Sequence, residues 1–129
     1  MILVDTSVWI DHFRRGDRRL AGLLEQGRVV MHSFIVGEIA CVSLAKRSQT
    51  LELLQDLPSA RVAHDDEVLG FIARHALHGK GLGYVDMHLL ASVALSPGTT
   101  LWTRDKWLMA VAEALGGSAS GSGSGSGAH

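Results

Sequence analysis

Short apolar runs alternate with longer amphipathic stretches along this chain. The runs lie at residues 1–4, 28–31, 61–63 and 100–103, and the first and second read "MILV" and "RVVM". Short, continuously apolar runs rich in β-branched residues are typical of strands in a parallel sheet that is covered on both faces. The pattern therefore predicts buried strands at these four places.

Between the strands, apolar residues recur at helical spacing, and capping or breaking residues stand at the ends of each stretch. Ser33 precedes one of these stretches, Pro58 follows another, and Ser96-Pro97-Gly98 ends a third. The predicted helices span residues 6–13, 18–26, 34–46, 49–57, 65 or 66 to about 78, 87–95 and 106–115.

Strands that alternate with helices predict an α/β fold. We expect one domain over residues 1–115, with a central parallel sheet of about four to five strands and helices on both faces. Residues 116–129 read "GGSASGSGSGSGAH", a Gly/Ser repeat without apolar periodicity. This segment is interpreted as a flexible tail, an appended linker outside the fold.

Composition narrows the classes of function. The formal net charge is −1, so a polyanionic partner would have to be held by local basic patches or through metal ions. One cysteine excludes an intrachain disulfide, and no apolar run is long enough to span a bilayer. Without a signal peptide at its start, the chain is expected to be cytoplasmic, with no membrane partner.

Four acidic residues follow the predicted strands. Asp5 comes directly after the first strand, Glu38 lies in the helix after the second, Asp86 opens a helix, and Asp105 lies beyond the last strand. Because the carboxyl ends of parallel strands meet at one edge of a sheet, these acids are expected to converge there. Asp5 and Asp86 also suit helix N-caps, and capping is compatible with a role in a site, whereas the alternative for Asp105 is an ion pair with Arg104 or Lys106.

Carboxylates crowded at one edge repel each other unless they become protonated or bind a hard cation. An acidic cluster poor in His and Cys favours Mg²⁺, with Mn²⁺ as a substitute, over zinc. Glu38 is interpreted as a ligand because the helical segment "SFIVGEIACV" around it is otherwise nearly all apolar. The hydroxyls of Thr6 and Ser7 are expected to orient Asp5 or to bind backbone amides, and that of Thr103 to do the same for Asp105.

Four segments carry a resemblance to a known family: "VDTSVWIDHF", "VGEIA", "GYVDMHLLASVAL" and "LWTRDKW". Together they resemble PIN-domain ribonucleases and, more narrowly, the VapC toxins of toxin–antitoxin pairs. The resemblance implies a Mg²⁺-dependent endoribonuclease that hydrolyses RNA phosphodiester bonds with a metal-activated water. It also implies a cognate VapB-type antitoxin and a homodimer. The acids it assigns as catalytic and metal-binding are Asp5, Glu38, Asp86 and Asp105.

Basic residues near this edge are candidates for binding RNA phosphates, which supply affinity but little sequence information. A solvated face with ion pairs is the alternative interpretation of the arginine cluster, whose members would be i,i+4 neighbours if the segment is helical. The RNA-binding candidates are Arg14, Arg15, Arg18 and Arg19, together with Arg104 and Lys106 beside Asp105.

Other assignments compete with a ribonuclease. A phosphatase or phosphoacceptor domain would use Asp5 as its nucleophile but would need a second acid close by, which neither Val4 nor Ser7 supplies. A structure-specific DNA nuclease and a non-catalytic RNA-binding PIN module are further alternatives. The tryptophans Trp9, Trp102 and Trp107 are expected in the core, and His75 and His78 on the surface.

Overall fold

A computed structural model describes residues 1–117 and places a small parallel sheet among helices. Residues 118–129, most of the predicted tail, lie outside the described residues. The strands are β1 (Ile2–Val4), β2 (Val29–Val30) and β3 (Thr100–Trp102). The helices are α1 (Thr6–Arg15), α2 (Arg18–Glu25), α3 (Ser33–Ala40), α4 (Arg47–Gln55), α5 (Asp65–Arg74), α6 (Tyr84–Leu95) and α7 (Lys106–Ala114).

The sheet has the order β2-β1-β3, and both pairings are parallel. Leu3 in the central strand pairs with Val30 on one side and with Leu101 on the other. Successive side chains of a strand point to opposite faces, and Leu3 and Val4 are both fully buried. Both faces are therefore covered, as the predicted α/β class requires.

The described chain forms three strands and one isolated bridge where about four to five strands were expected. The predicted strand at residues 61–63 was wrong: beside β2, a single parallel bridge joins Met31 to Ser59. Pro58 accepts from the Met31 N–H at 2.7 Å but has no N–H of its own to extend a ladder. Arg61 and Val62 beyond it are exposed, so this segment has little apolar surface to bury in a sheet.

The helix predicted at residues 34–46 ends at Ala40, and α4 begins at Arg47. Lys46 adopts a left-handed backbone conformation (φ 50°), which interrupts any continuous helix there. The Arg47 guanidinium donates to the carbonyl of Ala40 at 2.8 Å, satisfying one of the free carbonyls at the end of α3. The predicted long helix is therefore shorter, and the chain turns sharply before α4.

The outer edge of β3 is covered by the residue that ends the described chain. Thr100 donates to Met1 and Trp102 accepts from Asp5, so the Leu101 N–H points away from β1. It donates to the carbonyl of Gly117 at 2.7 Å, and the Gly117 N–H donates to Ala112 at 2.8 Å. The described chain thus continues in contact with the sheet beyond Leu115, where the domain was expected to end.

The membrane prediction concerns the helices. Within residues 1–117, none is both long and apolar enough to cross a bilayer.

Candidate active site

Asp5 lies where β1 ends and α1 begins, and only 8% of the residue's surface is exposed. Its N–H donates to the Trp102 carbonyl at 2.9 Å, which continues the alignment of β1 with β3. Although Asp5 occupies the N-cap position of α1, its carboxylate caps no backbone N–H of that helix. Its acceptor oxygens therefore face other groups.

Two hydroxyls donate to the same oxygen of Asp5. The Thr103 hydroxyl lies 2.7 Å and the Ser7 hydroxyl 3.2 Å from Asp5 Oδ2. Each hydroxyl also accepts a backbone N–H at 3.1 Å, Thr103 from Asp105 and Ser7 from Arg104. Because a hydroxyl has one hydrogen, both hydrogens point toward Asp5. Ser7 contacts Asp5 as expected, whereas Thr103, which was linked to Asp105, donates to Asp5 and contacts only the backbone of Asp105.

Asp105 and Asp86 are both held by backbone N–H groups at helix starts. Asp105 Oδ1 accepts from Trp107 at 2.9 Å and Leu108 at 3.2 Å, capping α7. Asp86 Oδ2 accepts from the Gly83 N–H at 3.1 Å. Asp86 was expected to open its helix, but α6 begins earlier, at Tyr84, so Asp86 reaches back across the first turn. In each carboxylate, the second oxygen has no hydrogen bond to residues 1–117.

Glu38 is held by Thr6, whose hydroxyl donates to Glu38 Oε1 at 2.5 Å. Thr6 thus orients Glu38, although it was expected to orient Asp5. Glu38 is exposed, so the inference that its apolar neighbours leave no solvated face was wrong. The short helix α3 buries one stripe, Ile35 and Ile39, and leaves Gly37 and Glu38 at the surface.

The electrostatics of Asp86 show that these acids share one region. Partial burial raises the pKa of Asp86, the Gly83 N–H lowers it, and the charges of Asp5, Asp105 and Glu38 each raise it, so the pKa lies above its ordinary value. Four segments of the chain therefore bring four carboxylates within electrostatic range at the carboxyl edge of the sheet. Among residues 1–117, however, no three of the Asp, Glu, His and Cys side chains converge closely enough to form a ready metal cage.

The acidic region fits a hard cation by its donor set. Its donor oxygens belong to carboxylates. Asp86 Oδ1 and Asp105 Oδ2 accept no hydrogen bond from residues 1–117. Like charges without a cation between them raise one another's pKa, as at Asp86. A divalent cation with oxygen preference and its own water shell suits such an open arrangement better than zinc does.

Three of the basic candidates are engaged within the protein. Arg104 forms ion pairs with Asp11 at 2.7 Å and with Asp17 at 2.6 Å, and Arg15 lies 3.5 Å from Asp11. The guanidinium of Arg19 stacks 4.3 Å from the ring centroid of Trp102. For these three, the ion-paired or packed alternative describes the observed contacts.

The remaining candidates, Arg14, Arg18 and Lys106, are exposed and form no ion pair with residues 1–117. Gly16 has φ 76° and breaks the segment into α1 and α2. Arg14 and Arg18 therefore lie on different helices, not as i,i+4 neighbours of one helix. They are accessible to a phosphate, as is Arg15, whose side chain is 76% exposed despite its contact with Asp11.

A partly buried polar cluster that was not predicted from the sequence lies along α6, the helix that carries Asp86. His88 is buried, and its Nε2 lies 3.3 Å from Asp65 Oδ1, which also accepts from the Tyr84 hydroxyl at 2.9 Å. His32, buried beside His88, contacts the Ser92 hydroxyl through Nε2 at 3.0 Å. The i,i+4 spacing of Tyr84, His88 and Ser92 on α6 was the signal in the sequence.

The prediction that Trp107 lies in the core was wrong. In the structure, 60% of its surface is exposed, whereas Trp9 and Trp102 are buried as expected. Helix α7 buries Leu108 and Ala112, so Trp107 faces away from the packed side. His75 and His78 are exposed, in agreement with the prediction.

Comparison with known proteins gives two findings. The family model described as "PIN domain" matches residues 2–114. The chain is also 47% identical over 116 residues to a protein named "Ribonuclease VapC32" from Mycobacterium tuberculosis (strain CDC 1551 / Oshkosh), and the match covers 90% of this chain and 94% of the relative. A protein of the same name from strain ATCC 25618 / H37Rv matches with the same identity and coverage.

Proposed function

The chain belongs to the PIN domain family, and we propose from that premise that it is an endoribonuclease, the toxin of a VapBC-type toxin–antitoxin pair. The 47% identity to relatives named as ribonucleases extends over nearly the whole of both chains, and the PIN domain match over residues 2–114 includes all four acid-bearing segments. The reaction is hydrolysis of RNA phosphodiester bonds.

The observation that carries this proposal is the likeness over nearly the whole chain to relatives named as ribonucleases, and the raised pKa of Asp86 is consistent with it. Burial and the negative charges of Asp5, Asp105 and Glu38 raise that pKa, which indicates a concentration of carboxylates that a cation would relieve. We assign these four acids as the catalytic and cation-binding residues, with Mg²⁺ as the cofactor and Mn²⁺ as a substitute. When bound, such a cation lowers the pKa of a water molecule and stabilises negative charge on the phosphate.

The protein's own groups prepare this site. The two hydroxyls of Ser7 and Thr103 fix Asp5 Oδ2, and the Thr6 hydroxyl fixes Glu38 Oε1. Backbone N–H groups hold one oxygen each of Asp86 and Asp105 and leave the other available for a cation. The carboxylates are thereby oriented before any ligand arrives, so less ordering remains to be done when substrate binds.

Binding of the RNA strand is assigned to the cations that the fold leaves accessible, Arg14, Arg15, Arg18 and Lys106. Arg104 is assigned to ion pairs within the protein. The partners implied by the proposed function are an RNA substrate, a VapB-type antitoxin and a second copy of the chain, and the expected location is the cytoplasm.

The test is cleavage of total host RNA by purified protein during titration with Mg²⁺ or Mn²⁺, with mapping of new 5′ ends. The variant Asp5→Asn is run in parallel, and Asp56→Asn, at an exposed acid that directly follows α4, controls for the loss of one charge. Discrete, metal-dependent cuts that vanish in Asp5→Asn but persist in Asp56→Asn are expected.

Cleavage by folded Asp5→Asn at the wild-type rate would overturn the assignment of the site. Equal cutting of RNA and of single-stranded DNA of the same sequence would instead favour a nuclease without preference for RNA. Release of phosphate from small phosphoesters by wild-type protein, abolished in Asp5→Asn, would favour the phosphatase alternative.

A further inference from the structure

An apolar groove with an exposed tryptophan lies next to the acidic residues and has no role in the function proposed above. Its volume is about 470 Å³, and it runs between helix α7 and the loop that follows α5. We call it the Trp107 groove; the residues used below to describe it are His75, Leu77, Lys80, Trp107, Val111 and Leu115.

The Trp107 groove is lined by two segments that lead to acids of the site. The backbone N–H of Trp107 donates to Asp105 Oδ1 at 2.9 Å, so the indole stands two residues from a carboxylate assigned to the site. The opposite wall includes Gly79 and Lys80, in the loop that leads to Gly83 and Asp86. A strand bound across the acids would therefore have this groove on one side.

The charge of the groove suits a polyanion. Its polar side chains are those of His75 and Lys80, and no Asp or Glu of residues 1–117 lines it. The ammonium group of Lys106 lies over the ring of Trp107, 5.6 Å from its centroid, which places a second cation against one face of the indole and leaves the other face for a base. Proteins that bind single-stranded nucleic acids combine an exposed aromatic ring with nearby cations. A base stacks on the ring, and the phosphates contact the cations.

We propose that the Trp107 groove is a nucleobase subsite, in which the indole stacks on an unpaired base of the RNA strand that crosses the acidic residues. Lys80 and Lys106 contact the phosphates on either side of that base. The inference rests on the proposed ribonuclease function and adds to it a binding residue for unpaired RNA. The groove's apolar wall, formed by Leu77, Val111 and Leu115, is the part that excludes water from the stacked base.

The first test uses tryptophan fluorescence, because Trp107 is exposed while Trp9 and Trp102 are 2% and 5% exposed. The probes are ten-nucleotide oligomers of uridine and of adenosine, and an abasic ribose-phosphate oligomer of the same length and charge. Both base-bearing oligomers are expected to quench the fluorescence at saturation and the abasic oligomer to leave it unchanged. In Trp107→Phe the remaining fluorescence should not respond to any of the three.

The second test measures affinity for the uridine oligomer by anisotropy of a labelled strand. Loss of one stacked base weakens binding roughly 5-fold to 150-fold, so Trp107→Ala should fall in that range. Trp107→Phe should retain most of the affinity, and Trp107→Leu, apolar but without a π-face, should behave like alanine. Leu53→Ala, which removes an exposed apolar side chain 65% exposed on α4, is the matched control and should bind as wild type.

Several outcomes would overturn the subsite. Equal affinity of Trp107→Ala and wild type, or equal quenching by the abasic oligomer, would mean that no base stacks on the indole. A change of oligomeric state in Trp107→Ala, measured by light scattering, would make the groove a protein interface instead. If wild-type protein still cuts RNA in a metal-dependent manner, such a result removes the subsite alone; absence of any cutting removes the proposed function.

Discussion

The carboxylate of Asp5 accepts hydrogen bonds from two hydroxyls that lie far apart in the sequence. Ser7 lies in the first turn of α1, and Thr103 directly follows β3. Both also accept a backbone N–H from the segment between β3 and α7. The same two side chains therefore fix the rotamer of Asp5 and the path of the backbone that carries Asp105.

Thr103→Val should weaken both functions of this hydroxyl. The variant leaves the N–H of Asp105 without its acceptor and removes a hydrogen bond to a buried carboxylate, which costs about 1–3 kcal/mol of unfolding free energy. Urea unfolding measures that loss, and RNA cleavage should fall with it. Thr103→Ser keeps the hydroxyl and is the control; equal activity of the valine and serine variants would contradict the role.

His32 is a buried residue whose protonation state is set by its contacts. Its Nδ1 accepts the Phe34 N–H at 3.0 Å, so its hydrogen is on Nε2, facing Ser92. Burial, and then the neighbouring His88, lower the pKa of His32 to about 4. The folded protein therefore holds His32 neutral in a pH range where the unfolded chain would protonate it.

The stability contributed by neutral His32 should be present above pH 6.5 and be lost progressively as pH falls from 6.5 to about 4. In that window the unfolded state binds the proton more tightly, and the full effect is at most about 3 kcal/mol. Urea unfolding as a function of pH measures it. His32→Gln should flatten the slope, and the exposed-residue control His78→Gln should not; identical slopes in all three proteins would contradict the assignment.

At the scale of elements, Arg104 joins three parts of the fold. Its guanidinium pairs with Asp11 of α1 and with Asp17, the N-cap of α2, while its backbone N–H donates to Ser7. Burial alone would raise the pKa of Asp17, but the Leu20 N–H and the Arg104 charge outweigh it, so the pKa lies below its ordinary value. Arg104 is thus a structural link between the α1–α2 turn and the loop of Asp105.

Arg104→Gln should lower the free energy of unfolding by about 1 kcal/mol, because the pairs are partly exposed and screened by solvent. Asp17→Asn keeps the cap of α2 but loses the charge, so a double-mutant cycle isolates the ion pair. We expect a favourable coupling energy near neutral pH. This energy should decrease in high salt, and also when the pH is lowered past 3.8 and Asp17 becomes protonated. Additive effects of the two substitutions would contradict the link.

The order of elements could be predicted from the sequence, and their exact ends could not. Apolar periodicity identified β1 and α7 almost to the residue, because each has an unambiguous buried side. It failed at residues 41–46, where apolar residues continue the helical spacing but Lys46 takes a left-handed conformation. It failed again at α6, because Asp86 caps from the third helical position and so looked like the first.

For the whole molecule, the concentration of carboxylates at one edge is a source of instability without a cation. The raised pKa of Asp86 means that the folded state takes up a proton more readily than the unfolded state does. Stability from this group is therefore present at low pH and is lost as pH rises past the ordinary value for Asp.

Asp86→Asn should accordingly be more stable than wild type when metal is removed with EDTA at pH 7, because it relieves the repulsion and keeps an acceptor for Gly83. Addition of Mg²⁺ should reverse the order. A cation at ten times its Kd adds about 1.4 kcal/mol to a protein that binds it. Thermal unfolding measures both states, with Asp56→Asn as the control; a Mg²⁺-induced shift of equal size in Asp86→Asn would place the cation elsewhere.

Convergence of the acids could be predicted, since a parallel sheet brings the ends of its strands to one edge. Which side chains serve them could not, because Thr6 was assigned to Asp5 and lies instead against Glu38. The position of Trp107 also depends on how α7 is rotated against the sheet. A single apolar residue at the start of a helix does not determine that rotation.

The Gly117 carbonyl that receives the Leu101 N–H is what separates β3 from an open sheet edge. Exposed edge strands pair with one another, and natural proteins cover or charge them to prevent this. A chain shortened to end at Leu115 would retain every acid and the apolar core but would present β3 to other molecules. The backbone of Gly117, which looks like the beginning of a linker, thus occupies a position at which a strand of another molecule could otherwise pair.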